Sequence, residues 1–117
     1  MTDAYDSFQE GQRRLRSGMP AQATVPLERA KRLEPQKASI REALGIAYFR
    51  LHRWADAEAE FRAILELSPT DHYAHYALGR ALEKQGRAAE ASGHYKLASS
   101  MKPANPDYAA RVPRDLD

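Results

Sequence analysis

Residues 38–69 read ASIREALGIAYFRLHRWADAEAEFRAILELSP and decide the fold. The first half places Leu44, Gly45 and Tyr48 on one side of a helix, because residues four apart lie one turn above each other. The second half repeats this with apolar residues at i, i+4, i+7 and i+8. The turn between the halves spans 50–53, so the stretch predicts a helical hairpin, and a single hairpin needs neighbours to bury its apolar faces. The apolar residues of the second half are Ala57, Phe61, Ile64 and Leu65.

The same pattern recurs at a spacing of 34 residues on both sides of this stretch. Gly45 has counterparts in Gly11 and Gly79, and these three residues form one column of the repeat. Four further columns of residues spaced by 34 positions stay in phase without an insertion. A fixed period of this size is typical of a stacked helical array. The other columns are Ala23, Ala57 and Ala91; Leu27, Phe61 and Tyr95; Ala30, Ile64 and Ala98; and Pro35, Pro69 and Pro103.

A helix-turn-helix of this length with these columns resembles the tetratricopeptide repeat, and the resemblance covers residues 4–103. It implies an all-α fold, a right-handed α-solenoid of three helix-turn-helix repeats with a C-terminal capping helix. The first repeat departs from the family pattern at Ser7, Glu10 and Arg14, where the family has large apolar residues. A terminal helix has no preceding repeat to pack on, so polar side chains are expected there. The second repeat matches the family best, at Leu44, Gly45, Tyr48, Ala57, Phe61 and Pro69.

One domain is the default for a chain of 117 residues. Gly18 and Gly86 follow predicted helices and suit the left-handed conformation that ends them. Asn105 and Pro106 offer a cap and a first-turn proline for a short last helix. We expect a single domain over 1–112, with repeats over 4–37, 38–71 and 72–105, a capping helix over 106–112, and a disordered tail over 113–117.

The composition narrows the function classes. The chain has 18 basic and 16 acidic residues, for a net charge of +2, and the two signs are interspersed, so no basic stripe indicates nucleic-acid binding. Paired acids such as Glu58 and Glu60 are expected on charged helix surface. The absence of cysteine excludes disulfides and thiolate metal sites. No apolar run of about 18 residues predicts a membrane span, and the N-terminus shows no secretory signal, so we expect a cytoplasmic protein.

The histidines do not form a catalytic or metal-binding pattern. His72 and His75 stand at i, i+3 beside Asp71, whereas a metal site wants at least three ligands. His75 falls in a column where the tetratricopeptide family has a large residue between repeats, so the resemblance implies packing there. His52, in a turn, and His94, on a helix, are expected to face solvent. No nucleophile motif of the kind used by hydrolases occurs. The sequence predicts no enzyme, no cofactor and no metal.

A second stripe of side chains lies beside the packing stripe on the first helix of each repeat. In tetratricopeptide proteins the first helices line a concave groove, so the resemblance implies that this stripe faces into it. Tyrosine is informative here, because it combines apolar area with a hydroxyl group and is favoured in binding hot spots. The alternative is that part of the stripe is core between repeats, above all Ile46 and Leu15. The groove residues are Tyr5, Phe8, Gln12 and Arg16, then Glu42, Ile46, Phe49 and Arg50, then Tyr73, Tyr76 and Arg80.

The expected function is non-enzymatic binding of a protein or peptide segment with apolar or aromatic side chains, and a carboxylate for Arg50 or Arg80. Two alternatives stay open: self-association, and a chaperone or assembly factor for subunits of secreted or multi-protein complexes. Some family members bind the C-terminal carboxylate of a chaperone through Lys, Asn and Arg at fixed groove positions. That clamp is absent, and chaperone-tail binding is not expected. The corresponding positions here hold Phe8, Gln12, Ala43, Tyr73 and Ala77.

Overall fold

The computed structural model describes residues 3–113, which form seven α-helices and no strand. The helices are α1 (Ala4–Arg16), α2 (Pro20–Leu33), α3 (Ala38–Arg50), α4 (Trp54–Leu67), α5 (His72–Lys84), α6 (Ala88–Met101) and α7 (Pro106–Arg111). Three hairpins, α1–α2, α3–α4 and α5–α6, stack so that each packs mainly on its neighbours in the chain, and α7 packs on α6. The array measures 60 × 25 × 22 Å. The predicted right-handed α-solenoid is confirmed.

Side-chain caps fix the two ends of the array. The Asp3 carboxylate accepts a hydrogen bond from the backbone N–H of Asp6 at 2.8 Å and so starts α1. The Asn105 side chain does the same for α7, accepting from the backbone N–H of Tyr108 at 3.1 Å. Of the predicted tail over 113–117, all but the first residue lie outside the described residues. Within residues 3–113, no helix is both long and apolar enough to cross a membrane.

The turns inside the three hairpins share one conformation. Gly18, His52 and Gly86, spaced by 34 residues, all have positive φ, of 73°, 60° and 77°. Glycine adopts this conformation freely, whereas a side chain costs on the order of 1 kcal/mol. The exposed His52 ring stacks on Trp54 at 4.8 Å between centroids, a contact that offsets part of this cost.

Glycine in the first helices lets the two helices of a hairpin approach closely, as predicted. A Cβ atom on Gly45 would lie 2.6 Å from the Phe61 ring, and one on Gly79 would lie 2.6 Å from the Tyr95 ring. Carbon atoms do not pack at such distances, so a side chain at either glycine would force the facing ring or the helix to shift. Ala57, at another column of the repeat, is completely buried.

A buried carboxylate ties the first repeat to the second. Glu60 of α4 is only 4% exposed, which corrects the expectation that it lies on charged helix surface. Its oxygens accept hydrogen bonds from Lys31 Nζ of α2 at 2.8 Å and from Arg41 Nη1 of α3 at 3.0 Å. The 34-residue pattern of apolar columns could not show this, because the partners come from two other helices.

The polar residues of α1 behave in two ways. Glu10 and Arg14 are partly exposed and pair with each other at 3.0 Å, as expected for a terminal helix. Ser7 is completely buried, and its hydroxyl has no hydrogen-bond partner among the described residues, so the expectation of a solvent-facing side chain was wrong there.

Candidate functional site

A cavity of about 230 Å³ lies between the first helices of the second and third repeats, α3 and α5. The structure brings together there all of the predicted groove residues of these repeats except Glu42. Phe61 and Ala77 complete the lining; their places in the repeat had assigned Phe61 to the core and Ala77 to a family binding position. The predicted residues in the lining are Ile46, Phe49, Arg50, Tyr73, Tyr76 and Arg80.

The predicted groove residues of the first repeat do not line this cavity. Tyr5 is 67% exposed near the start of α1, and Arg16 is exposed at its end. Phe8 is half-buried and packs against the core, and Gln12 is half-buried as well. A binding role for these four residues stays a prediction.

Phe49 forms the α3 side of the cavity and is held by two neighbours. The Trp54 ring meets it edge-on, with centroids 4.9 Å apart. The Arg80 guanidinium lies 5.4 Å from the Phe49 ring centroid, a cation–π distance. Because these contacts fix the ring, the α3 wall is preorganised.

Tyrosines form the α5 side. The Tyr73 ring lies edge-on to Phe61 at 6.3 Å, and the Tyr76 ring lies 4.9 Å from Tyr108 of the last helix. Burial, with the nearby Glu42 charge, raises the pKa of the Tyr73 hydroxyl. The alternative that part of the groove stripe belongs to the core between repeats therefore holds in part, because four lining residues also pack against the core. These are Ile46, Phe49, Tyr73 and Tyr76, while Leu15 is buried outright.

Of the residues that the structure describes, Arg50 and Arg80 are the only charged ones in the lining. Arg50 Nη1 donates to the Leu15 carbonyl at 3.0 Å, and Arg80 Nη1 donates to the Tyr76 hydroxyl at 3.3 Å. Among residues 3–113 neither arginine is in an ion pair. The Nε of Arg80 is buried and has no partner within that range. The cavity is thus an apolar site with uncompensated positive charge.

Glu42 was predicted to face the groove, and it lies outside the cavity lining. Its side chain is half-buried near the start of α3. Burial and, second, the charge of Asp71 raise the pKa of the Glu42 carboxyl above its ordinary value. An acidic side chain thus lies near the start of α3, outside the cavity that Arg50 and Arg80 line.

Histidines form a separate contact between α5 and α6. His75 is buried, which confirms its predicted packing role, and its Nε2 donates to the Pro69 carbonyl at 2.8 Å. Its Nδ1, 3.0 Å from His94 Nδ1, must then accept from His94. His94 is half-buried by this contact, so the expectation that it faces solvent was wrong. His72 Nδ1 lies 2.8 Å from the Tyr108 hydroxyl. Residues 3–113 contain no cluster of three or more potential metal ligands.

The histidine contact predicts a loss of stability in mild acid. Burial of the side chain lowers the pKa of His94 below 6.5. The neighbouring His75 and Arg62 lower it further, whereas the negative charge of Glu90 acts in the opposite direction. The folded state thus favours neutral His94; its contribution is complete above about pH 6.5 and is lost as pH falls through the lower folded-state pKa. Urea denaturation between about pH 7.5 and pH 5 should show this decline.

The variant His94→Gln is expected to flatten the decline, because glutamine can still donate to His75 and does not titrate in this range. The control His52→Asn, at an exposed turn, should leave the decline unchanged. An unaltered pH profile in His94→Gln would show that another group causes the acid sensitivity.

Comparisons with known proteins agree with the repeat pattern and the fold described above. The sequence model of the family described as "Tetratricopeptide repeat" matches residues 8–72 and 42–106. Among curated proteins, Superkiller complex protein 3 of Mus musculus is 31% identical over 88 residues, which cover 75% of this chain. The chain spans only 6% of that protein's length.

Solved structures show the same fold. The first TPR of Spaghetti (RPAP3), bound to HSP90 peptide SRMEEVD, has a TM-score of 0.89 at 20% identity, covering 94% of this chain and 87% of that one. YrrB, a TPR protein with an unusual peptide-binding site, also has 0.89, at 19% identity, covering 94% of this chain and 57% of that one. MamA has a TM-score of 0.89 at 21% identity, covering 93% of this chain and 64% of that one. With the matched repeat pattern and the stacked hairpins, these findings show that the chain belongs to the tetratricopeptide repeat family.

Proposed function

We propose that this protein is a binding scaffold that holds a peptide segment of a partner protein in its concave groove. The observation that carries the proposal is the cavity between α3 and α5, which combines aromatic walls with two arginines that have no acidic partner among residues 3–113. Apolar sites with a few polar groups are typical of binding pockets. The arginines favour a ligand that carries a carboxylate.

The cavity volume supports an anchor side chain rather than a cofactor. Its 230 Å³ exceeds the roughly 150 Å³ of a cavity that holds benzene. It falls below the roughly 300–1,000 Å³ of sites for drug-sized ligands. One large apolar side chain of a peptide fits this range, with the rest of the segment lying along the groove.

The family supports the same class of function. Tetratricopeptide repeat proteins generally act in protein interaction and not in catalysis, and neighbours in fold include one bound to an HSP90 peptide. That peptide is not carried over to this chain, because its groove positions lack the lysines, asparagines and arginine of the chaperone clamp. The partner we propose is therefore a different segment.

The test needs a partner, captured by affinity pull-down from the native cell extract and measured by calorimetry. Phe49→Ala with Tyr76→Ala is expected to weaken binding by at least about 2 kcal/mol, or about 30-fold, because both rings line the anchor cavity. Since Tyr76 also packs on Tyr95 and Tyr108, thermal denaturation must show that the variant is folded. Arg50→Glu, at an exposed side chain, is a second groove variant that should fold.

The matched control removes two large apolar side chains from the second helices. Val25→Ala with Leu97→Ala changes residues that are 62% and 46% exposed and lie outside the cavity. Binding should be unchanged. Loss of binding in this control, with full binding by the folded groove variants, would place the working surface on the second helices. Light scattering at several concentrations would test self-association, which predicts a mass that rises with concentration.

A further inference from the structure

The first helix of every repeat ends on a cation at the same position. The helices α1, α3 and α5 have 13 residues each and end at Arg16, Arg50 and Lys84. Because the repeats stack in phase, these residues form a row along one edge of the groove, which we call the cation row. All three side chains are exposed. Ion pairs among residues 3–113 include none of them.

Compensation of helix dipoles does not explain the row by itself. A cation at a helix C-terminus is favourable, and Arg50 does donate to the Leu15 carbonyl in the last turn of α1. Of the second helices, α2 has Lys31 and Arg32 in its last turn, whereas α4 and α6 have no basic residue there. All three groove-lining helices thus end on a cation, but only one of the three second helices has a cation in its last turn. Lys84 also lies 5.6 Å from the Trp54 ring, beside the turn of the preceding repeat.

Acidic residues also lie toward the starts of these helices. Asp71 caps α5, and Glu42 lies near the start of α3, close enough that the Asp71 charge acts on it. The charge at these starts is mixed, because Lys37 is the N-cap residue of α3 and Arg41 lies in its first turn. A nucleic-acid strand would meet repulsion at Asp71 and Glu42, whereas a peptide can present carboxylates to the cation row alone.

The spacing of the row sets the spacing of its ligand. The helices α3 and α5 line one cavity and share the contact of Arg80 with Phe49, and we assign them the separation of about 8–10 Å that is typical of neighbouring helices. An extended polyproline II segment advances about 3.1 Å per residue and brings every third side chain to the same side, at intervals of about 9 Å. One step along the cation row therefore corresponds to three residues of an extended chain.

We propose that the groove binds an extended acidic segment of a partner protein in which carboxylates recur at every third residue and meet Arg16, Arg50 and Lys84 in turn. An apolar side chain between two of these acids enters the cavity beside Arg50. This inference rests on the proposed function, since it identifies the chemistry of the peptide that the groove takes.

The experiment uses two synthetic peptides of equal composition with one phenylalanine each. In the first, aspartate recurs at every third residue; in the second, the same aspartates are clustered at one end. Fluorescence anisotropy with the full chain should show binding to the first peptide, several-fold tighter than to the second. A triple variant should bind the first peptide about tenfold or more weakly, because it loses three exposed ion pairs with the peptide. Its substitutions are Arg16→Glu, Arg50→Glu and Lys84→Glu. The corresponding triple glutamine variant, which keeps helix propensity, should weaken binding less.

A control with the same change in net charge reverses Arg32, Lys96 and Lys102, which are exposed and lie outside the groove-lining helices. It should bind the first peptide normally. Equal binding of the two peptides, equal weakening by the control, equal affinity for a single-stranded oligonucleotide, or no binding of the first peptide would each overturn the inference.

The two proposals can fail separately. If the first peptide binds but Phe49→Ala with Tyr76→Ala does not weaken it, the anchor cavity of the proposed function is wrong while the cation row stands. If a natural partner needs the cavity but ignores the charge reversals in the row, the proposed function stands and this inference fails.

Discussion

Replacement of Ala57 by arginine is expected to destabilise the protein by about 3 kcal/mol or more. Ala57 is fully buried, so a long side chain both overpacks the hairpin and buries an unpaired charge. Small domains are stable by only about 5–15 kcal/mol in total. We therefore expect a large fall in the melting temperature measured by circular dichroism, or no folded protein.

The control for this variant is Ala59→Arg, two residues further along α4. Ala59 is exposed, so the same change in size and charge should shift the melting temperature little. Equal stability of the two variants would mean that the register of α4 differs from the one described here.

Replacement of Glu60 by alanine is the second large effect, with an expected loss of about 2–3 kcal/mol. The change leaves Lys31 and Arg41 half-buried without the carboxylate that they share. Arg41 keeps its bond to the Pro35 carbonyl, and Lys31 keeps Glu28 at 3.4 Å, which limits the loss. Urea denaturation of the variant and the parent chain would measure it.

Glu66→Ala serves as the control, because Glu66 is an exposed glutamate on the same helix. It should leave stability within about 0.5 kcal/mol of the parent. If Glu60→Ala were equally neutral, the ion cluster would contribute nothing net. A double-mutant cycle with Arg41→Ala would then show no coupling between the two residues.

The fold could be predicted because its determinants are periodic. Gly45 and Phe61 occupy columns that recur every 34 residues, and each column implies the same contact in each hairpin. The departures arise where one residue differs from its column. Ser7 is completely buried although it is polar, and Glu60 is buried with hydrogen bonds from Lys31 and Arg41 of other helices. The spacing of apolar residues along one helix does not reveal contacts with residues from other helices.

The site was predictable in part for the same reason. The repeat placed Phe49 and Tyr76 on neighbouring first helices, and the structure brings both into one cavity. The repeat did not show that Phe61, facing Gly45, reaches the same cavity from a second helix. It also did not show that His94 is half-buried, because that depends on the contact with His75. Both depend on side-chain direction across hairpins, which spacing along one helix does not determine.

The stacking of each hairpin mainly on its neighbours in the chain has a kinetic consequence. Folding of such an array closes only short loops, so the entropy lost before contacts form is small. Helical proteins with local contacts fold in about microseconds to milliseconds. Because an array of this kind can nucleate in any repeat and grow outward, the central hairpin, with neighbours on both sides, is expected to be the last part to open and the end hairpins the first to exchange amide hydrogens.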